Sequence, residues 1–412
     1  MKRTYMIVAA AALLTGALPS FAQAVSSEGV ADAQTGARAT GSTQDVLREV
    51  EQNNITLKAL RQSADAQKIG NLTGIMLEDP EIGFSYLWGG PSAIGNRQDV
   101  SVSQTFDFGT LAGMKRKVAQ EKNSLVEWEY LSQRMGILLE AKLLCIELTH
   151  LNKLAAVLEE RARNAATIAE SLRSKMEHGE GNILEYNNSL LELSNAENEL
   201  AAVRAQRESA LSKITGLNGG CRTDFTATDY GTESFPADFE SWYSEAQERN
   251  PVLAYVKGEI ELSRKELSLS KTENLPSLSV GYMGEFTLGQ RYQGVSLGVS
   301  IPLWSNARRV RQAKAAMLAA QSRETDAKQQ FYSNLEAQYT LASSLKEVAE
   351  NSRHTLDSAD NRSLLRKALE AGEISVQDYL VSIGFYYDAL ERAMNAELEY
   401  NKALAELYSY TL

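Results

Sequence analysis

The residues of this chain that are best suited to chemistry are few and far apart. Its three histidines, His150, His178 and His354, do not have the spacing that would bring imidazoles together as metal ligands. No glycine-rich phosphate loop follows a strand, and no nucleophile motif is present. His178 lies beside a glycine turn, where we expect a solvated side chain rather than a metal ligand or a pH sensor. The sequence therefore predicts no catalytic, cofactor or metal site.

The two cysteines, Cys145 and Cys221, give no disulfide framework either. An oxidising compartment would allow them to pair. Cys145, however, lies in the apolar run 143–146, which favours a buried and inert thiol.

The first 24 residues have the pattern of a secretory signal. Lys2 and Arg3 precede an apolar stretch at 6–18, and Ala22-Gln23-Ala24 provides a small-residue cleavage site. The apolar stretch is shorter than the roughly 20 residues that a membrane-spanning helix needs. Residues 25–42, rich in Ser, Gly, Ala and Thr, are predicted to form a flexible leader. The sequence therefore predicts an exported protein.

Without Lys2 and Arg3 the chain has 40 basic and 53 acidic residues. This negative charge argues against binding to nucleic acid and to anionic lipid surfaces. It is compatible with an acidic lumen that attracts cations, and equally with ordinary solvated helix surfaces.

The remainder of the chain is internally duplicated. Pro80 stands six residues before Tyr86, and the same pair recurs 196 residues later as Pro276 and Tyr282. A glycine seven residues before a tyrosine also occurs twice, 193 residues apart, as the pairs Gly179–Tyr186 and Gly372–Tyr379. Two landmarks with nearly constant offset indicate two copies of one structural unit.

Each copy contains a predicted β-hairpin, at 80–108 and at 276–303. Apolar residues alternate there with Ser, Gly, Thr and acids, over strands of about nine to eleven residues, which suits tilted membrane strands. Four aromatic residues near the strand ends fit an interfacial girdle: Tyr86, Trp88, Tyr292 and Trp304. The alternative is a soluble antiparallel sheet with one solvent-exposed face. Two matching hairpins in an exported chain favour strands of a membrane β-barrel instead.

Four strands cannot close a barrel, since the smallest barrels have about eight. Because strands in lipid cannot leave open edges, the protein must then oligomerise to close its sheet.

Long helices follow each hairpin. Residues 115–178 contain no Pro and only Gly136, and residues 307–371 contain neither Pro nor Gly. A 4-3-4-3 spacing typical of a coiled-coil seam runs through Leu144, Leu148, Leu151, Ala155 and Leu158. About 65 helical residues span on the order of 100 Å, so these helices should form an extended tube.

The predicted organisation has two structural repeats, each with a helix, a hairpin and a long helical hairpin that ends in a glycine turn. The segments are the signal peptide at 1–24, the leader at 25–42, the first repeat at 43–215 with its tip near 177–185, a linker at 216–238, and the second repeat at 239–412 with its tip near 370–378.

From about residue 43 to its end, the chain resembles the TolC-like outer-membrane efflux proteins. The motifs that carry the resemblance are Gln104-Thr105-Phe106-Asp107-Phe108-Gly109, Leu275-Pro276-Ser277-Leu278, Ser300-Ile301-Pro302-Leu303-Trp304 and the two glycine turns. The resemblance implies a homotrimer whose twelve strands form an outer-membrane β-barrel, continued by an α-helical barrel across the periplasm. It also implies contacts with outer-membrane lipid, a periplasmic adaptor (a membrane fusion protein) and an inner-membrane transporter.

In that family the glycine turns lie at the periplasmic tip, where the tube narrows and meets the adaptor. The resemblance therefore implies tip roles for Gly179, Gly372, Tyr186 and Tyr379. Family members commonly place an acid six positions after the second turn glycine, which is Asp378 here, and Glu185 is its counterpart in the first repeat. Rings of carboxylates can narrow a pore and bind ions. A second acid, often found three residues later, is replaced here by Val381.

The function implied is a passive exit duct in the outer membrane, for small molecules or ions delivered by the pump and adaptor. A periplasmic coiled-coil adaptor or scaffold without a pore is the alternative. It would explain the long helices and turns, but not two hairpins with membrane-like alternation.

Overall fold

The structure is a computed structural model that describes residues 38–91, 94–231, 233–304 and 308–412. The predicted signal peptide and the leader up to residue 37 lie outside the described residues. The strands are β1 (Arg38–Thr40), β2 (Glu81–Leu87), β3 (Arg97–Phe106), β4 (Thr223–Phe225), β5 (Ser277–Thr287) and β6 (Gln290–Ser300). The helices are α1 (Thr43–Asn53), α2 (Ile55–Asn71), α3 (Phe108–Leu111), α4 (Met114–Glu177), α5 (Ile183–Leu217), α6 (Phe239–Arg249), α7 (Pro251–Thr272), α8 (Arg309–Ser358), α9 (Arg362–Glu370) and α10 (Val376–Leu407).

The two predicted hairpins are present and join into one antiparallel sheet in the order β2-β3-β5-β6. The inner strands pair over nine residues, from Gln98 opposite Phe286 to Phe106 opposite Leu278. The outer strands β2 and β6 each have one edge that no strand of the described chain covers. The sheet is therefore left open on both sides.

The helices continue the strands in the same lateral order. Lys68 of α2 pairs with Glu127 of α4, and α7 packs on the other side of α4. Arg309 of α8 lies 2.6 Å from Glu273, directly after α7. The helical layer beneath the sheet thus has the order α2-α4-α7-α8, and its outer helices stand below the outer strands.

The first long helix is confirmed as α4, whose 64 residues span about 96 Å at 1.5 Å per residue. Its predicted seam is buried at Leu144, Leu148, Leu151 and Leu158, and Ala155 packs beside it. Leucines at this spacing form one stripe along the helix, and that stripe packs against α5.

The second long stretch is not one helix. It divides into α8 and α9 at Ala359–Asn361, although it contains neither Pro nor Gly. Asp and Asn compete for backbone hydrogen bonds and favour helix ends. At this break the guanidinium of Arg362 donates two hydrogen bonds to the Asp360 carboxylate, at 3.0 and 2.8 Å. The break redirects α9 onto α4.

The helix predicted at the start of the first repeat is also divided, into α1 and α2, by the buried Asn54. Its side chain accepts a hydrogen bond from the Leu57 amide at 2.8 Å and donates one to the Leu217 carbonyl at 2.7 Å. Asn250, 196 residues later, caps α7 in the same way after α6. The break is therefore a duplicated feature.

The segments predicted as leader and linker contribute ordered structure. Strand β1, at the end of 25–42, pairs in parallel with β4 inside 216–238. Phe225 of β4 is fully buried in the core that contains Leu148 and Ile214. The buried phenylalanine therefore ties the predicted linker at 216–238 to α4 and α5.

A second core is aromatic and lies around Trp242 of α6, which packs against α8 and the end of α10. Its members include Phe235, Phe239, Tyr243, Phe331, Tyr339, Tyr408 and Tyr410. Within the described ranges, none of the helices combines the length and the apolar content that a membrane-spanning helix requires.

Both cysteines lie in the described part of the chain, and neither forms a disulfide there. Burial raises the pKa of the Cys145 thiol to about 12, so that it stays protonated and inert, as its apolar surroundings in the sequence indicate. Cys221 is exposed.

His150 is buried where α4 packs against α10. Its ring bonds to the backbone of Met394, while its Nδ1 has no partner among the described residues. Burial lowers the pKa of His150, and the positive charges of Lys402 and Lys153 lower it further, against a smaller opposite effect of Glu147. The folded protein therefore holds this imidazole neutral.

We predict that His150 makes the protein less stable in mild acid. In the unfolded chain His150 binds a proton near pH 6.5, whereas in the folded chain it does so only at lower pH. The free energy of unfolding is therefore unaffected by this group above pH 6.5 and decreases as the pH falls below it. His150 should contribute at most about 1.4 kcal/mol per pH unit to the slope of the free energy of unfolding against pH. The free energy of unfolding, measured with denaturant between pH 7.5 and pH 5, should depend less on pH in His150→Gln than in the unchanged protein. The exposed His354→Gln is the control, and an unchanged slope for His150→Gln would contradict the assignment.

Candidate functional site

The sheet has one apolar and one polar face, and the strand register sorts the side chains between them. Neighbours across the strands on the apolar face form the rows Ile82–Val102–Tyr282–Val295, Phe84–Val100–Gly284–Gln293 and Phe106–Leu278–Val299. In the single chain Val295 and Leu297 are 75% and 74% exposed. An apolar sheet face left open in this way is what a lipid-facing wall requires.

The other face is built from small and polar residues. Its rows are Glu81–Ser103–Gly281–Ser296, Gly83–Ser101–Met283–Gly294 and Ser85–Asp99–Glu285–Tyr292. Polar side chains of this kind line the aqueous side of a membrane barrel.

The four residues predicted to form an aromatic girdle lie near the ends of the sheet. Tyr86 and Trp88 form an edge-to-face pair at the hairpin end, with ring centroids 5.5 Å apart. Trp304 follows β6 at the helix end and is 85% exposed. The register puts Tyr292 opposite Glu285 on the polar face, so Tyr292 does not lie on the apolar face. The girdle thus remains a proposal for Tyr86, Trp88 and Trp304 only.

A charged group on the polar face was not predicted from the sequence. Asp99 and Glu285 are directly opposite each other across β3 and β5. The Arg97 side chain bridges them, with its Nε 2.8 Å from Asp99 and 3.3 Å from Glu285. Opposed carboxylates repel each other, and the guanidinium offsets that repulsion. The two acids are far apart in sequence, and only the strand register brings them together.

The two glycine turns have the same backbone geometry. Gly179 and Gly372 have φ of 75° and 74°, and in each case the next residue, Glu180 or Glu373, donates its amide five residues back. These bonds are 3.0 and 2.9 Å long and form the Schellman motif that ends a helix. The duplicated glycines are therefore needed for their left-handed backbone conformation.

The two candidate gate acids follow these turns at equivalent positions. Asp378 is exposed in the first turn of α10, and its carboxylate accepts a hydrogen bond from the Ser375 hydroxyl at 2.6 Å. The Asp378 amide in turn donates to that hydroxyl oxygen at 3.1 Å. Glu185 is half-buried in the first turn of α5, behind the cap residue Asn182. Carboxylates at a helix N-terminus are stabilised by the helix dipole.

The two tip tyrosines differ in their surroundings. Tyr379 is only 4% exposed and packs with Ile383 and Tyr387 against α4 and α9, whereas Tyr186 is half-buried. Burial raises the pKa of Tyr379, so the phenol stays neutral. The second turn is therefore anchored to α4 by its tyrosine.

Two arginines tie the helices together above the tip. Arg161 of α4 bonds to Glu192 and Glu199 of α5, at 2.9 and 2.8 Å, and lies over the Tyr387 ring of α10. Arg366 of α9 donates to Asn164 of α4 at 3.1 Å.

A groove of about 450 Å³ lies between α4 and the α9–α10 turn, and its lining includes Lys175, Arg366, Glu370 and Tyr379. The groove therefore presents charged and apolar side chains together at the tip.

His178 lies at the end of α4, and its Nδ1 contacts the Ser174 carbonyl oxygen at 2.7 Å. Across the described ranges, no cluster of three or more His, Cys, Asp or Glu side chains is placed to hold a metal ion.

Two solved structures of similar fold are those of outer-membrane proteins. VceC from Vibrio cholerae superposes with a TM-score of 0.68 at 13% identity, over 89% of this chain and 95% of VceC. The open-state MtrE channel of Neisseria gonorrhoeae gives 0.66 at 14% identity, over 89% and 88% of the two chains. The fold class is therefore the predicted one, an internally duplicated protomer of the kind that builds a β-barrel continued by an α-helical barrel.

Sequence similarity points to one family within this class. Residues 242–411 match the model of the outer membrane efflux protein family. The alkaline protease secretion protein AprF of Pseudomonas aeruginosa is 28% identical over 190 residues, which are 42% of this chain and 39% of AprF. The predicted resemblance to the TolC-like outer-membrane efflux proteins is thereby confirmed. These similarities support an outer-membrane location with helices that extend into the periplasm.

We predict that Gly372→Ala loosens the second tip turn through backbone strain alone. A Cβ at this position would meet no atom within 4 Å, so the cost is that of a left-handed alanine, about 1–2 kcal/mol. Amide hydrogen exchange at Glu373 should become roughly tenfold faster, and Gly372→Asn should change it less.

The exposed Gly136 in the middle of α4 provides the matched control. A Cβ there also has open space, but φ is helical, so Gly136→Ala should stabilise α4 by up to about 1 kcal/mol. Unchanged exchange at Glu373 in Gly372→Ala would show that the turn does not depend on glycine.

Proposed function

We propose that this protein is the outer-membrane exit duct of a tripartite efflux system, which passively conducts small molecules or ions out of the cell. The observation that carries this proposal is the four-stranded sheet with an exposed apolar face and two open edges, continued by long helices. Lipid would cover the apolar face, and further copies would cover the edges. Three copies would supply twelve strands, the number that the family resemblance implies.

The periplasmic end supports the rest of the proposal. The glycine turns, with the groove beside Tyr379, form the surface that we propose for the adaptor, which would connect the duct to an inner-membrane transporter. Asp378 in three copies would make a ring of carboxylates around the closed tip, with Glu185 as a second contributor.

The similarity to AprF favours a second candidate cargo. AprF is by its name a protease secretion protein, so a secreted polypeptide is the alternative to small molecules. The proposed duct is the same in either case, and the inner-membrane partner would select the cargo.

The first experiment is to extract the protein from outer membranes in detergent, measure its mass and record single-channel currents. A detergent-dependent trimer with low, cation-sensitive conductance is the expected result. A water-soluble monomer without channel activity would reject the duct and favour a periplasmic scaffold.

We predict that Asp378→Asn opens the tip electrostatically. The amide keeps an oxygen for the Ser375 hydroxyl but removes the charge, so block by divalent or trivalent cations should weaken about tenfold, or conductance should rise. Planar-bilayer recordings measure both quantities. Glu373→Gln, which removes an exposed acid from the adjacent turn, is the control. Identical behaviour of the two variants would exclude Asp378 from the gate but leave the duct intact.

A further inference from the structure

The apolar face of the sheet carries a single charge within the four described strands β2, β3, β5 and β6. The acids of these strands, and one of their two arginines, lie on the polar face: Glu81, Asp99, Glu285 and Arg97. The other arginine is Arg291 of β6, which the register places opposite Phe286 and in line with Val295 on the apolar face. The charge on the apolar face is therefore positive, although the chain as a whole is acidic.

The neighbouring rings agree with this placement of Arg291. A Cβ built on Gly284 would lie 3.2 Å from Phe286 Cε2 and 3.6 Å from the Tyr282 hydroxyl oxygen. The Phe286 ring therefore leans along β5 over Gly284, toward the helix end of the sheet. Arg291, opposite Phe286, is left exposed at the hairpin end.

The guanidinium of Arg291 has no partner for its charge. Arg97 lies between Asp99 and Glu285, whereas Arg291 has neither an ion pair nor a hydrogen bond within the described residues. A neighbouring copy that covered β6 with its β2 would not supply an acid at this height. Residues 82–98 contain none, and Glu81 stands at the helix end of β2. Arg291 is therefore free to bind an anion from outside the protein.

The height of Arg291 on the sheet determines which layer of a membrane it would meet. The exposed apolar residues of β6 and the segment after it are centred on Val299: Val295, Leu297, Val299, Ile301 and Leu303. Arg291 is eight residues from Val299, which corresponds to about 27 Å along a strand and, at a tilt of about 40°, to about 21 Å across a membrane. Half of an apolar band about 25 Å tall is only about 12 Å. Arg291 would therefore stand above the hydrocarbon, at the level of the lipid headgroups.

The leaflet at this height is the outer one, because the helices at the opposite end of the sheet extend into the periplasm. The exposed Trp304, five residues beyond Val299, would mark the periplasmic border of the apolar band. Arg291 and Trp304 thus bracket that band from its two sides.

A second donor stands beside Arg291 on the same face. Gln293 is exposed, and its carboxamide oxygen accepts a hydrogen bond from the Tyr282 hydroxyl at 2.9 Å. That bond orients the carboxamide and leaves its NH2 group as a donor. Residues two apart on a strand are about 7 Å from each other, so one phosphate group can reach both long side chains. A guanidinium binds phosphate through two parallel N–H donors.

We propose that Arg291, with Gln293 beside it, binds the phosphate group of an outer-leaflet lipid whose acyl chains lie over Val295 and Leu297. This site deepens the proposed duct and rests on it. The occupant is a phosphorylated lipid and not free phosphate, because the apolar side chains continue directly from the two donors toward the centre of the membrane. The acidic chain would otherwise disfavour an anionic headgroup, so Arg291 provides the local attraction.

Lipid A is the probe for this site, since it can be prepared with and without its phosphate groups. The full-length protein in maltoside detergent is titrated with each form, and bound lipid is counted by native mass spectrometry. Arg291→Gln should weaken the binding of phosphorylated lipid A about tenfold, because a charged pair of hydrogen bonds is lost. Binding of the dephosphorylated form should not change. Arg291→Lys keeps the charge but not the paired donors, so its affinity should fall between the two.

Arg97→Gln is the matched control, because it removes the other arginine of the sheet from the polar face and should leave lipid binding unchanged. Inorganic phosphate at millimolar concentration is the competitor. It should not displace lipid A, since it lacks the acyl chains.

Each outcome separates the lipid site from the duct. Full affinity in Arg291→Gln, equal binding of the two forms of lipid A, or displacement by inorganic phosphate would overturn the lipid site. A detergent trimer with channel activity would in each of these cases leave the proposed function standing. A water-soluble monomer would overturn both.

Discussion

The constraint on which this structure depends is the hydrogen bonding of the outer strands β2 and β6. Each has a row of backbone groups that no other strand of the described chain satisfies, and unsatisfied groups of this kind cost several kcal/mol each in lipid. The exposed apolar face of the same sheet would in turn be unfavourable in water. Both costs disappear together when copies close the sheet within a membrane. The helices below the sheet must then close in the same order, because each continues a strand.

In the proposed duct, duplication would let one chain use a similar interface twice, once within itself and once between copies. The inner version can rely on charges such as Glu121 and Lys265, because both belong to one chain and meet at high effective concentration. A contact between copies has no such advantage. Apolar contacts suit it better, because burial of apolar area is not screened by salt.

The sequence predicted the features that depend on local periodicity. Strand alternation, the Leu144–Leu158 seam and the glycine turns at 179 and 372 each follow from short-range rules. Features that depend on distant partners were not predictable. Asn54 divides a helix because it reaches the Leu217 carbonyl, and Phe225 turns a linker into core. The side of the sheet taken by Tyr292, and the meeting of Asp99 with Glu285, both depend on a register that alternation alone does not set.

The two tips show how identical turns can acquire different roles. The local bonds around Gly179 and Gly372 match, but only the second repeat has the break at Ala359–Asn361. That break turns α9 so that Leu365 and Leu369 pack with Tyr379 against α4. The first turn has no such short helix, because α4 runs unbroken to Glu177. Movement of the second turn would therefore disturb the core around Tyr379. A gate at Asp378 would thus be coupled to the packing of α9 and α10 on α4.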